Sequence, residues 1–174
     1  MLGAGFATWE FGEQDALLLN SLWRNLELPK VRKELDVAVR RFGDSCVRHR
    51  NKDKLIDLMI AAEAIFLRGT KEGEKSFRLA LRAGHFLGKG SSAKDVRDQM
   101  ALAYHCRSVL VHGGKPSSDK KLKKLNLQEF TDKVSGRIQT AILTAIDLLA
   151  SPEAVDQLDD KYWDRYLFDS NSDQ

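Results

Sequence analysis

A chain of 174 residues, 43% hydrophobic and 30% charged, is long enough to bury one core without disulfides or a structural metal. Its two cysteines are too few for a disulfide scaffold, no apolar run reaches the ~18 residues of a membrane span, and the start lacks the basic region of a secretory signal. Net charge is +3, but seven acids face two bases from Ser151 onward, so the tail carries −5 and residues 1–150 carry +8, a basic body able to attract a polyanion. The expectation is a single cytoplasmic domain.

Apolar residues recur at helical spacing almost throughout, and nothing reads as a strand, so the expected fold is an all-α bundle of about seven helices. The first helix is predicted over 13–26, with Leu17, Leu18, Leu22 and Leu26 on its stripe. Pro29 separates it from a second, over 30–42, closed by Gly43. A third, over 53–68, takes Asn51 or Asp53 as its cap and ends at Gly69. It is apolar nearly all round, which places it in the middle of the bundle. Glu63 lies within it and needs a partner or a cleft, with Arg78, Arg82 and Arg107 as candidates.

The fourth helix is predicted over 74–87, where Gly84 permits close approach of a neighbour and His85 reads as a core or capping residue. "GKGSS" (88–92) lacks the spacing of a phosphate-cradling loop. Ser92 and Asp95 resemble a capping box that opens a fifth helix over 93–112, stopped by Gly113 and Gly114. "KPSSDKKLKKLN" follows as a loop. A sixth helix covers 127–149, and "SPE" (151–153) reads as the start of a seventh. Trp163, Tyr162, Tyr166 and Phe168 are expected to pack that last helix on the body, ahead of a frayed "DSNSDQ" tail.

The chemistry concentrates at the end of the fifth helix, in "YHCRSVLVHGG" (104–114). At ~100° per residue, Arg107 lies on one side of Tyr104 and His112 on the other, ~140° apart, flanking a face with Ser108 and Val111. That spacing suits a site completed by something else, such as a second copy of the helix. His112 precedes the glycines, where unwinding would swing its ring inward. An imidazole titrates near neutrality and can move the proton of a ribose 2′-hydroxyl, and a guanidinium fork can stabilise the phosphorane. Ser108 or Tyr104 would position a phosphate oxygen or the imidazole. No cofactor is called for. The adjacent loop carries Lys115, Lys120, Lys121, Lys123 and Lys124 against Asp119, a local +4 that, as a flexible strip, would hold an RNA backbone. It has no interleaved aromatics for base stacking. The blander reading is a helix end with Arg107 bound to Glu63 and a solvated lysine run. A zinc site from Cys46, His49, His105 and Cys106 is disfavoured, because adjacent residues on a helix diverge by ~100°.

Three stretches in order, "DKLIDLMIAAEAIFL", "SFRLALRAGHFLG" and "YHCRSVLVHGG", resemble the Apea-like branch of the HEPN superfamily over roughly 35–150. The hallmark is arginine, four residues, histidine, here Arg107 to His112, with Glu63 in the first stretch as a supporting residue. The resemblance implies an all-α homodimer with a composite, metal-independent endoribonuclease site, in which Arg107 binds the scissile phosphate and His112 is the acid–base group. It implies products with a 2′,3′-cyclic phosphate and a 5′-hydroxyl. It also implies a defence or toxin–antitoxin role, with an antitoxin or a larger defence protein as partner. Many nucleolytic members have Asn, Asp or His after the arginine, where this chain has Ser108. The alternative is a non-catalytic helical interaction or RNA-binding module of the same architecture.

Overall fold

Helical periodicity is realised as helices. The computed structural model describes residues 12–70, 73–88, 92–151 and 158–169. In it lie α1 (Glu13–Glu27), α2 (Pro29–Cys46), α3 (Asn51–Phe66), α4 (Lys75–Leu87), α5 (Ser92–Val111), a 3-10 turn (Pro116–Ser118), α6 (Leu127–Ala150) and α7 (Asp160–Asp169). No strand occurs among the described residues, and none of their helices is long and apolar enough to cross a membrane. The protein is an all-α bundle.

α3 is the central element. Leu55, Leu58, Met59, Ile65 and Phe66 are sealed from solvent, and α2, α4, α5 and α6 all pack against it. α4 lies along α5 at close range: a Cβ on Gly84 would sit 2.9 Å from the Ala93 carbonyl oxygen, so the glycine is what lets the two backbones meet. α1 contributes no buried residue; Leu22 and Leu26 rest on the core, while Leu18 and Trp23 face outward.

Some helix ends differ from the sequence expectation. α2 runs through Gly43 to Cys46. Glycine inside a helix costs about 1 kcal/mol relative to alanine, but the extra turn buries Ser45, whose hydroxyl donates to the Phe42 carbonyl at 2.6 Å. α3 starts at Asn51, so Asn51 and Asp53 lie inside the helix and Arg50 holds the cap position with no side-chain bond. Ser151 is the C-cap of α6, its N–H bonded to the Asp147 carbonyl, and the helix start expected at "SPE" (151–153) falls on residues outside the described set. α7 begins at Asp160, where the Asp159 carboxylate accepts from the Tyr162 N–H at 3.0 Å as a cap does. Residues 152–157, most of "GKGSS" and the tail after Asp169 lie outside the described residues.

α7 packs as expected. Trp163 is fully buried, its ring 5.4 Å from both Phe66 and Phe86, and its Nε1–H donates to the Ile65 carbonyl. Tyr162 and Tyr166 stack at 5.7 Å, and burial pushes the Tyr162 phenol up to about 12. The Phe168 side chain is outside the described set. Charged groups tie the helix down as well. Arg82, 2% exposed, donates to the Phe66 carbonyl at 2.7 Å and to Asp160 at 2.8 Å. Thr70 also bonds Asp160.

Candidate active site

α5 is built in two parts. Val96, Met100, Ala103 and Cys106 form one sealed stripe against the core. Beyond Cys106 no residue of the helix is fully buried, so its last turn stands at the surface. Burial raises the Cys106 thiol to about 11, with the Asp119 charge adding to the effect, so it is no nucleophile at neutral pH.

The two glycines end the helix in a Schellman motif. Gly113 has φ +76°, its N–H donates to the Leu110 carbonyl at 3.1 Å, and the Gly114 N–H donates to the Val109 carbonyl at 2.8 Å. A Cβ on Gly114 would lie 2.8 Å from the Val109 side chain, so this turn accepts only glycine without adjustment. His112 is therefore held as the capping residue. Its N–H still donates to the Ser108 carbonyl at 3.1 Å, so the helix does not unwind before it and the ring is not swung inward. The imidazole is exposed and, among the described residues, makes no hydrogen bond or ion pair.

Arg107 is placed differently. Its Nη2 lies 3.5 Å from Glu63 Oε2 on α3, with the two side chains 25% and 26% exposed. That separation exceeds the ~2.7–2.9 Å of a strong charge-assisted bond. The guanidinium sits 5.9 Å from the Tyr104 ring centre, and its Nε is buried without a hydrogen-bond partner. Burial and the Glu63 charge raise the Tyr104 phenol; the Arg107 charge opposes them. Of the three arginines proposed as partners of Glu63, Arg107 is the one it meets, while Arg78 and Arg82 turn to Asp160. Tyr104, Arg107 and Glu63 thus form one half-open cluster. Ser108 is half-buried on the same turn, and no bond joins Arg107 to His112.

The lysine loop is a folded turn and no flexible strip. Asp119 Oδ1 accepts from the N–H groups of Lys121 and Leu122 at 2.8 and 3.2 Å, and its Oδ2 meets His105 Nε2 at 3.0 Å. The Lys121 N–H first, then His105, hold the Asp119 carboxyl below the usual range against the opposing effect of burial. Leu122 is inserted in the core. Lys115, Lys120, Lys121, Lys123 and Lys124 all remain exposed, and none is paired with a carboxylate among the described residues.

No family model matches the chain, and neither does any curated protein or solved structure. The site must be read from its own geometry.

Several charged groups escaped the sequence reading. Asp57, in the same apolar run as Glu63, is the more deeply buried of the two and is held by Arg41 at 3.1 Å and Arg48 at 2.7 Å. Glu34, also buried, pairs with Arg68 at 3.1 Å and accepts from the Leu158 N–H. An acid inside an apolar stripe was the available signal for Asp57; its partners come from α2 and the turn after it, which only folding brings near. Cys46 and His49 are exposed and Cys106 is buried. Among the described residues no three His, Cys, Asp or Glu side chains are grouped to hold a metal ion. His85 is exposed at the end of α4, outside the core.

Proposed function

We propose that this chain is a HEPN-type endoribonuclease domain that acts as a homodimer, with Arg107 and His112 as its working pair. One observation carries the reading: an uncommitted imidazole and a half-open guanidinium occupy the C-terminal end of α5, beyond its last buried residue. Either side chain sealed in the interior would defeat the chemistry, and neither is. Within one copy the two groups diverge around the helix, by ~140° for five residues. A second α5 packed antiparallel would supply the missing half of each site.

The reaction is a transesterification. One imidazole takes the proton of a ribose 2′-hydroxyl, O2′ bonds to the adjacent phosphorus, and the bond from phosphorus to O5′ breaks. An imidazolium returns a proton to the departing oxygen, leaving a 2′,3′-cyclic phosphate and a 5′-hydroxyl. Arg107 meets the charge that develops on the phosphorane. Glu63 and Tyr104 position Arg107, Ser108 lies within reach of the same face, and the exposed lysines of the loop hold the strand. A cytoplasmic defence or toxin–antitoxin setting, with an antitoxin or larger defence protein as regulator, suits such an activity.

The decisive experiment is His112→Ala in EDTA: RNA cleavage is expected to vanish while helicity and dimerisation persist. Continued cleavage overturns the assignment. A second reading, a non-catalytic interaction module, is favoured by the existing Arg107–Glu63 pair. Under that reading the purified protein shows no cleavage at any concentration, and binds a partner domain.

A further inference from the structure

The starts of α3 and α6 lie side by side, joined by the Asn51 amide donating to Gln128 and by Lys54 bonded to Asp132 at 3.0 Å. With the loop that follows His112 they wall an open depression of about 270 Å³. Its rim carries Lys52, Lys115 and Lys123, from two separate parts of the chain, and its floor is made of Pro116, Leu125 and Leu127. None of the three lysines is paired with a carboxylate among the described residues, whereas the neighbouring Lys54 is already spent on Asp132. The loop's one acid, Asp119, faces away, toward His105 and the backbone of its own turn. Positive charge here is uncompensated and surrounds an apolar floor.

We infer that this depression seats one nucleotide of a single-stranded RNA, its ring against Pro116, Leu125 and Leu127 and its flanking phosphates on Lys52, Lys115 and Lys123. The volume falls just short of the ~300–1,000 Å³ of sites that enclose whole drug-sized ligands, which suits one ring system. A ring can enter only if it is unstacked, as in a loop or free strand. An aliphatic floor offers no aromatic stacking, so base identity is read weakly. Lys120, Lys121 and Lys124 lie outside the depression and add only diffuse attraction. The choice of RNA rests on the ribonuclease reading; the seat itself rests on the cavity and its charges.

The test uses the full chain carrying His112→Ala and a short fluorescent oligouridylate, with anisotropy followed against salt. K52E/K115E/K123E is expected to weaken binding at least tenfold and to flatten the log–log salt slope by roughly 2, three phosphate contacts at ~0.7 each. K120E/K121E/K124E, of identical charge, is expected to weaken it several-fold less. Duplex RNA, inorganic polyphosphate and polyglutamate are expected to compete poorly with the single strand. Equal losses from the two triple variants overturn the seat, as does polyphosphate competing as well as RNA. Polyglutamate competing best would make the surface one for an acidic protein. Failure of the nuclease reading is separable: it shows as no cleavage by the parent chain or as unimpaired cleavage by the His112→Ala chain, and either result leaves this binding pattern intact.

Discussion

Two arginines of this protein each face a carboxylate, and their surroundings differ in every respect that matters. Arg82 is 2% exposed, bonds a backbone carbonyl and Asp160 at 2.7 and 2.8 Å, and secures α7 through a network with Thr70. Arg107 is 25% exposed, stands 3.5 Å from Glu63, and leaves its Nε without a partner. A guanidinium with its donors satisfied in a sealed site fixes a helix and has nothing left for a ligand. One that is loosely paired at an open turn can exchange its carboxylate for a phosphate at little cost, since ion pairs open to solvent contribute only about 0–1 kcal/mol. Burial of the pair, more than the presence of a charge, separates scaffold from site.

Breaking the sealed pair should have the largest effect. Arg82→Ala leaves Asp160, Thr70 and the Phe66 carbonyl short of a donor, and removing one partner of a buried pair costs about 3–5 kcal/mol. At roughly 2–4 °C per kcal/mol for a domain of this size, melting should fall by about 10 °C. Trp163 fluorescence should shift to the red as α7 loosens. A melting point within two or three degrees of the parent would place Arg82 among the dispensable pairs and erase the contrast.

Next comes the turn that holds His112. Gly114→Ala forces a Cβ against Val109, and crowding of this kind costs about 1–3 kcal/mol. Because the turn also sets where the imidazole points, cleavage should fall further than stability does. Arg107→Ala is expected to do the reverse of Arg82→Ala: about 1 kcal/mol or less in stability, and on the order of 10²–10³-fold in cleavage. Thermal melts and single-turnover cleavage of the same preparations separate the two. A large drop in melting temperature for Arg107→Ala would move this residue to the structural class and favour the interaction-module reading.

The bundle was legible in the sequence because its helices obey one period and most end at glycine, proline or a polar capper. The exceptions have local causes. Gly43 reads as a stop, but Ser45 finds a buried site one turn later. Asn51 reads as a cap, but it is the first residue of α3, and Arg50 holds the cap position. The candidate pair at 107 and 112 was legible as well, since it needs only a helix and two glycines. Its surroundings were less so. Glu63 could be assigned three arginines and no choice among them, because the choice depends on where Asp160 comes to lie. Asp160 itself reads as one solvated acid in an acidic tail. Lys52 is separated from Lys115 and Lys123 by nearly all of α3 and the whole of α4 and α5, so no reading of the lysine run could have enlisted it.

The smallest effect, and the sharpest test of the Arg82–Asp160 pair, is the titration of Asp160. Burial pushes the Asp160 carboxyl up, but the Thr70 hydroxyl and the Arg82 and Arg78 charges outweigh it, so the group ends below its ordinary value. A carboxyl whose pKa is lower in the folded chain binds protons more readily once unfolded. Its stabilising contribution is therefore whole above the unfolded value of ~4 and is lost as pH falls through the lower, folded one. Asp160 is 31% exposed, so solvent reduces the effect to a few degrees of melting temperature at most. Asp160→Asn should melt below the parent at about pH 6, and the gap should narrow as pH falls below about 4, closing once Asp160 is protonated in the folded chain as well. A gap that stays constant across that range would mean that Asp160 acts through its shape and hydrogen bonds alone, and that the buried Arg82 draws its stability from the Phe66 carbonyl and Thr70.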